Sequence, residues 1–242
     1  MSLMTALLPR LSRYAAQRDH PRLIDGLSRS LRLTSVVIAP VAAAMVVLGP
    51  QLAVLLFAHG HSDPGAVVRL GGAVAAFGLV LLPFTGYMVL LRGFYAVQDT
   101  RTPALITTMI SAVGIAGCLL SDWLLPRNDV VVGVAAAYAL AYSFGLVTAG
   151  LRLRRRLGRL DGRRLASTNV RMAAALVVGT AAAATTAHVT ARHATIGWSG
   201  SLVVLTVAAL IGAAGYTAAA RLLRLSELRD VAAATLAVLR TS

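Results

Sequence analysis

The densest gathering of residues able to do chemistry lies at 90–103, LLRGFYAVQDTRTP. It brings a guanidinium (Arg92), an aromatic pair (Phe94 and Tyr95), a carboxylate (Asp99), a hydroxyl (Thr102) and Pro103 into one short polar break. Arginine and aspartate in such a place either cap helix ends and set topology, or orient helices and meet a lipid headgroup. A second candidate is His59, His61 and Asp63 in HGHSDPG, because alternate residues can converge on one ion. No fourth ligand accompanies them, and the glycine and proline around them read as an exposed polar loop. No HExxH, Walker A or GxSxG pattern is present, and the lone Cys118 sits inside an apolar run as a small buried residue. The sequence therefore offers no catalytic residue, no metal ligand set and no cofactor site, and it assigns no substrate-binding residue.

The elements that must position the break are apolar runs of membrane length. The chain has 242 residues, is 57% hydrophobic and only 13% charged, and has a mean hydropathy of +0.75. A soluble domain carries about a quarter of its residues as charges, so this composition belongs to the membrane class. Full spans are expected at 33–57, 70–91, 104–125, 130–151, 172–189 and 199–220, each near the ~20 residues that a bilayer requires. Residues 1–9 are too short to span and read as the second half of a membrane helix. Pro40 and Pro83 fall inside spans, where a missing backbone donor is expected to kink the helix. Between 10 and 32, Asp19 is placed to cap a helix with Pro21 in its first turn. Leu23, Ile24, Leu27 and Leu31 then recur at helical spacing, predicting a segment that lies along the membrane surface. Ser226 is a plausible N-cap for a last amphipathic helix on the membrane.

The fold class is thus all-α, a polytopic integral membrane bundle of about six full helices preceded by a half-helix. It divides into a truncated helix end and basic connection (1–32), four membrane helices (33–151), a basic loop (152–171), two further helices (172–223) and an amphipathic tail (224–242). All 23 basic residues are arginines, giving a formal net charge of +14. They alternate: twenty fall at 10–32, in the break, at 152–171 and in the tail, and three (Arg69, Arg127, Arg192) fall on the opposite side. By the positive-inside rule both termini are cytoplasmic. The run Arg152, Arg154, Arg155 and Arg156 is expected to set topology and touch anionic phospholipid headgroups. A nucleic-acid partner is not expected, because no aromatic residue interleaves these arginines. No span carries an ionisable residue near its midpoint, which argues against an ion-coupled pump built from these helices alone.

Three pieces in order carry a resemblance to a known family. LLPRLS (7–12), GLSRSLRL (26–33) and a proline-containing span ending LLFAHG (55–60) are followed by RGFYAVQDTRTP. Together they resemble the MurJ (MviN) lipid II flippases, within the multidrug/oligosaccharidyl-lipid/polysaccharide exporter superfamily. The resemblance implies fourteen helices in the whole fold, as two six-helix lobes around a cationic cavity plus two C-terminal helices. This chain would be the C-terminal portion: the end of the eighth helix, the rest of the second lobe, and the final pair that forms a groove for a polyprenyl tail. The family's Arg/Glu-bearing segment before this point is not matched, so transport is expected to need a first lobe from an upstream extension or a separate chain. The implied activity is movement of the undecaprenyl-linked peptidoglycan precursor across the bacterial plasma membrane for cell-wall synthesis, and not an enzymatic reaction. Arg92, Phe94, Tyr95, Asp99, Thr102 and Pro103 are expected to fix a joint between two lobe helices. Two other readings stand beside this one: a flippase for another polyprenyl-linked glycan, and a non-transporting scaffold that recruits cell-wall synthesis proteins.

Overall fold

In the computed structural model of the chain, the described residues are 9, 11–17, 19–57, 64–127, 129–158, 162–193 and 198–223. After a helical turn and a half at 11–16 come α1 (His20–Phe57), α2 (Pro64–Ala96), α3 (Arg101–Leu124), α4 (Val130–Leu157), α5 (Gly162–His193) and α6 (Trp198–Leu222). Among the described residues these six helices are long and apolar enough to cross a membrane. In their most apolar windows only 17–39% of residues are buried. Large apolar side chains such as Leu119, Leu140 and Val177 instead face outward, as lipid-exposed helices require. The tail at 224–242 and the His59–His61–Asp63 stretch lie outside the described residues.

α1 packs along α2; α2 and α3 each pack on α4 while barely touching one another; α5 pairs with α6, and both lean on α1. The α1–α2 contact is close because glycines remove the side chains between the backbones. A Cβ on Gly49 would stand 2.7 Å from the Gly71 carbonyl oxygen, and one on Gly71 would stand 2.7 Å from Pro50 Cα. The largest core gathers at one end of the bundle, the end that carries most arginines. Leu23 and Leu27 of α1, Tyr87, Leu90 and Phe94 of α2, Ile106 and Ile110 of α3 and Leu153 of α4 meet there.

Two expectations are corrected. The segment at 10–32 does not lie along the membrane: from His20 it is the first part of α1, continuous with the span. Asp19 opens it as expected, its Oδ1 accepting the Arg22 N–H at 3.1 Å. Leu23 and Leu27 share a face, but they are buried in protein instead of lying on lipid. The 38 residues of α1 reach about 57 Å, roughly twice the ~30 Å hydrocarbon core, so the arginine-bearing end stands clear of it. Likewise the basic stretch begins as helix: α4 runs to Leu157 and α5 starts at Gly162, so Arg152, Arg154, Arg155 and Arg156 are on a helical extension. The charges end the apolar run without ending the helix, because arginine is a good helix former.

The helices also run unbroken through Pro40, Pro50 and Pro83. Pro40 has no N–H for the carbonyl of Val36, four residues earlier, and in an apolar interior an unpaired carbonyl is costly. Tyr216 of α6 meets the need: its buried hydroxyl donates to Val36 O at 3.0 Å. The proline thus frees an acceptor that fastens the last helix to the first. Tyr216→Phe should lower stability by about 1–2 kcal/mol. In a Pro40→Ala background, where the helix supplies its own N–H, the same change should cost much less. Thermal unfolding of the four detergent-purified proteins checks this double-mutant cycle.

Candidate functional site

The break at 90–103 folds as a tight corner between two helices, and its non-helical part is short. α2 continues through Arg92, Phe94 and Tyr95 to Ala96, so only residues 97–100 lie between helices. Two crossed hydrogen bonds close α2: the Gln98 N–H donates to Tyr95 O and the Asp99 N–H to Phe94 O, both at 3.0 Å. This is the Schellman arrangement, and it places Gln98 in the left-handed region at φ +56°. Glycine usually occupies that position; a Cβ there costs about 1 kcal/mol. The chain accepts that cost because the next residue must begin a new helix at once.

Asp99 begins it. The first turn of α3 has four backbone donors to satisfy. Thr102 N–H donates to Asp99 Oδ1 at 3.1 Å. Pro103 has no N–H, and Ala104 N–H returns to Thr100 O at 3.2 Å. The residue at the N-cap position, Thr100, contributes no side-chain bond, so the capping carboxylate works from one residue further out.

The other oxygen of Asp99 leaves the corner. Arg156, in the last turn of α4, brings Nη1 to 2.7 Å from Oδ2. Oδ2 is buried and accepts no well-aligned hydrogen bond, so this contact is charge against charge. The Asp99 side chain is only 9% exposed while that of Arg156 is 56% exposed. Exposed ion pairs are weak; here the anion is covered, which favours a real contribution. The Thr102 side chain, its backbone N–H, the Arg156 charge and the Arg101 N–H hold the Asp99 carboxyl below its ordinary pKa, against the opposing effect of burial.

The remaining predicted residues divide sharply. Phe94 is fully buried in the core below the corner, and Thr102 and Pro103 are buried on α3. Arg92 is half-buried on α2, and Tyr95 faces outward at 46% exposure. Of the four arginines read as headgroup or topology residues, Arg156 is drawn into the joint, while Arg152, Arg154 and Arg155 stay exposed. Two features escaped the sequence reading. The left-handed Gln98 has no local signal, being neither Gly nor Asn. The Asp99–Arg156 pair joins the α2–α3 corner to the end of α4, and only the recurrence of a carboxylate and an arginine cluster at the same end of two spans hints at it. Cys118 is half-buried and free, and no cluster able to hold a metal occurs among the described residues.

Fold and site together define a polytopic α-helical membrane protein whose helix ends are locked by polar contacts on its arginine-rich side. The family profile described as "Lipid II flippase MurJ" matches residues 1–208, and the chain belongs to that family. The family is one of transporters, not enzymes. The chain is 33% identical over 133 residues to the lipid II flippase MurJ of Burkholderia cenocepacia, covering 50% of this chain and 26% of that protein. It is 31% identical over 116 residues to the probable lipid II flippase MurJ of Rhizobium meliloti, covering 48% of this chain and 22% of the relative. It is 26% identical over 159 residues to the probable lipid II flippase MurJ of a Synechocystis strain, covering 66% of this chain and 29% of the relative. The matched part is thus well under two thirds of these relatives.

Two measurements check the site. Asp99 has a lowered pKa, so its contribution is fully present above the unfolded carboxylate value, about 4, and is lost as pH falls through the lower folded value. Asp99→Asn should therefore lower thermal stability at neutral pH and bring it towards wild type in strong acid. The Phe94 and Tyr95 pair gives a contrast. Phe94→Ala should cost about 3–5 kcal/mol by emptying the core, whereas Tyr95→Ala should stay within about 0.5 kcal/mol. Denaturation monitored by circular dichroism separates them.

Proposed function

We propose that this chain acts as the second lobe and final helix pair of a lipid II flippase, moving the undecaprenyl-linked peptidoglycan precursor from the inner to the outer leaflet. The observation that carries the reading is the family match across 1–208. In this reading both termini are cytoplasmic, and the arginine-rich ends of α1, α2, α4 and α5 meet the inner leaflet and its anionic lipids. Half of an alternating-access transporter has nothing to move against, so a first lobe must complete it.

Two features of the fold support a division of labour. A cavity of about 370 Å³ opens between α1, α5 and α6, lined by Pro40, Leu48, Leu176, Gly179, Ala208 and Tyr216. Its lining is nearly all apolar, suited to an isoprenoid segment, so the tail stays in lipid-like surroundings while the headgroup crosses elsewhere. The Asp99–Arg156 contact joins the ends of α2, α3 and α4, so these helices would move as one rigid body. Arg92, Phe94, Tyr95, Asp99, Thr102 and Pro103 then serve the joint and do not bind the cargo.

Rescue of growth is the test. In cells depleted of their own lipid II flippase, this chain co-expressed with the N-terminal half of a MurJ relative should restore growth and clear accumulated precursor, and the chain alone should not. Failure of the pair, with both polypeptides shown to be in the membrane, contradicts the proposal. Mass spectrometry of the accumulated lipid identifies the glycan.

A further inference from the structure

Tyrosine favours the membrane–water interface, yet two tyrosines of α4 sit far from either end. At 1.5 Å rise per residue, Tyr142 lies about 15 Å from Arg152 and Tyr138 about 12 Å from Val130, near the middle of a ~30 Å hydrocarbon layer. Their rings stand one turn apart and nearly parallel, with centroids at 6.4 Å. Tyr142 also meets Phe84 of α2 edge-on at 5.1 Å and lies 6.2 Å from Tyr87. Tyr138 packs beside Gly114 of α3, where a Cβ would come to 3.1 Å of the ring. The two rings therefore sit where α2 and α3 flank α4 without closing on each other.

The hydroxyls set these two apart. Tyr87 shares a hydrogen bond with Thr107 of α3 at 2.9 Å, and Tyr216 donates to Val36 O. Thr108 and Ser143 nearby bond back to carbonyls of their own helices. Tyr138 and Tyr142 are only half-buried, and neither hydroxyl bonds to another described group. An unpartnered hydroxyl is costly in hydrocarbon, so these two are placed for a polar visitor. Nor is that visitor met by charge: α2, α3 and α4 carry no ionisable side chain but tyrosine and Cys118 across 70–91, 104–121 and 130–151.

We propose that Tyr138 and Tyr142 form a mid-membrane contact for the sugar of a lipid-linked glycan, a role that rests on the flippase reading above. A pyranose offers an apolar C–H face to the rings and a hydroxyl edge to the phenols, and it needs no counter-charge. The diphosphate, which does need one, is held elsewhere.

The test uses the purified full chain in detergent and native mass spectrometry with two probes, undecaprenyl diphosphate and undecaprenyl diphosphate bearing one N-acetylglucosamine. The wild type should favour the sugar-bearing probe by about fivefold or more, the value of roughly one hydrogen bond. Tyr138→Phe with Tyr142→Phe keeps both rings and should remove most of that preference, leaving affinity for the bare probe within about twofold. A preference that survives the double change overturns the contact. So does a double variant that loses thermal stability or changes oligomeric mass with its sugar preference intact, because the phenols then serve helix packing. Equal wild-type binding of both probes, or binding of neither, overturns this contact and leaves the flippase reading to the growth-rescue test.

Discussion

One residue, Asp99, holds three helix ends. The backbone N–H of Asp99 closes α2, its Oδ1 opens α3, and its Oδ2 faces the guanidinium of Arg156 at the end of α4. These contacts sit directly over the core that contains Phe94, Leu153 and Leu27, where four helices converge. A membrane bundle gains little from burying apolar surface against apolar lipid, so polar contacts and close packing must choose the arrangement. At this corner the choice falls to a residue with two oxygens and an N–H, all used. The left-handed Gln98 is the local cost of packing so many roles into four residues.

The same economy recurs at the far side of the bundle. Pro40 removes one backbone donor from α1, and Tyr216 spends its hydroxyl on the carbonyl left behind. That bond adds to the apolar packing of Val36, Ala39 and Leu48 against Met172, Ala187, Val204 and Ala208, which seats the last two helices against the first. α5 and α6 thereby border the apolar cavity while the Asp99 corner stays on α2–α4, so the two parts of the fold are fastened by separate polar devices.

Much of the fold is legible in the sequence. Six apolar runs of membrane length give six helices, because no other structure hides its backbone from lipid without closing into a barrel. Boundaries at the arginine-rich ends are less legible: arginine ends hydrophobicity without ending helicity, so α1 and α4 extend further than their apolar runs. The break was visible as a cluster of unusual residue types, and Phe94, Asp99, Thr102 and Pro103 do assemble there. Tyr95 does not join the core, and nothing in its spacing separates it from Phe94 until the face of α2 is known. The Asp99–Arg156 and Tyr216–Val36 contacts depend on which helices become neighbours, which local pattern does not encode.

Asp99 couples the ends of α3 and α4 as well as capping α3. Hydrogen exchange read by mass spectrometry, on peptides spanning 100–106 and 150–157 of the wild type and of Asp99→Asn, tests it most directly. Both stretches should lose protection together in the variant. Loss confined to 100–106, with 150–157 unchanged, would reduce Asp99 to a helix cap and contradict the coupling.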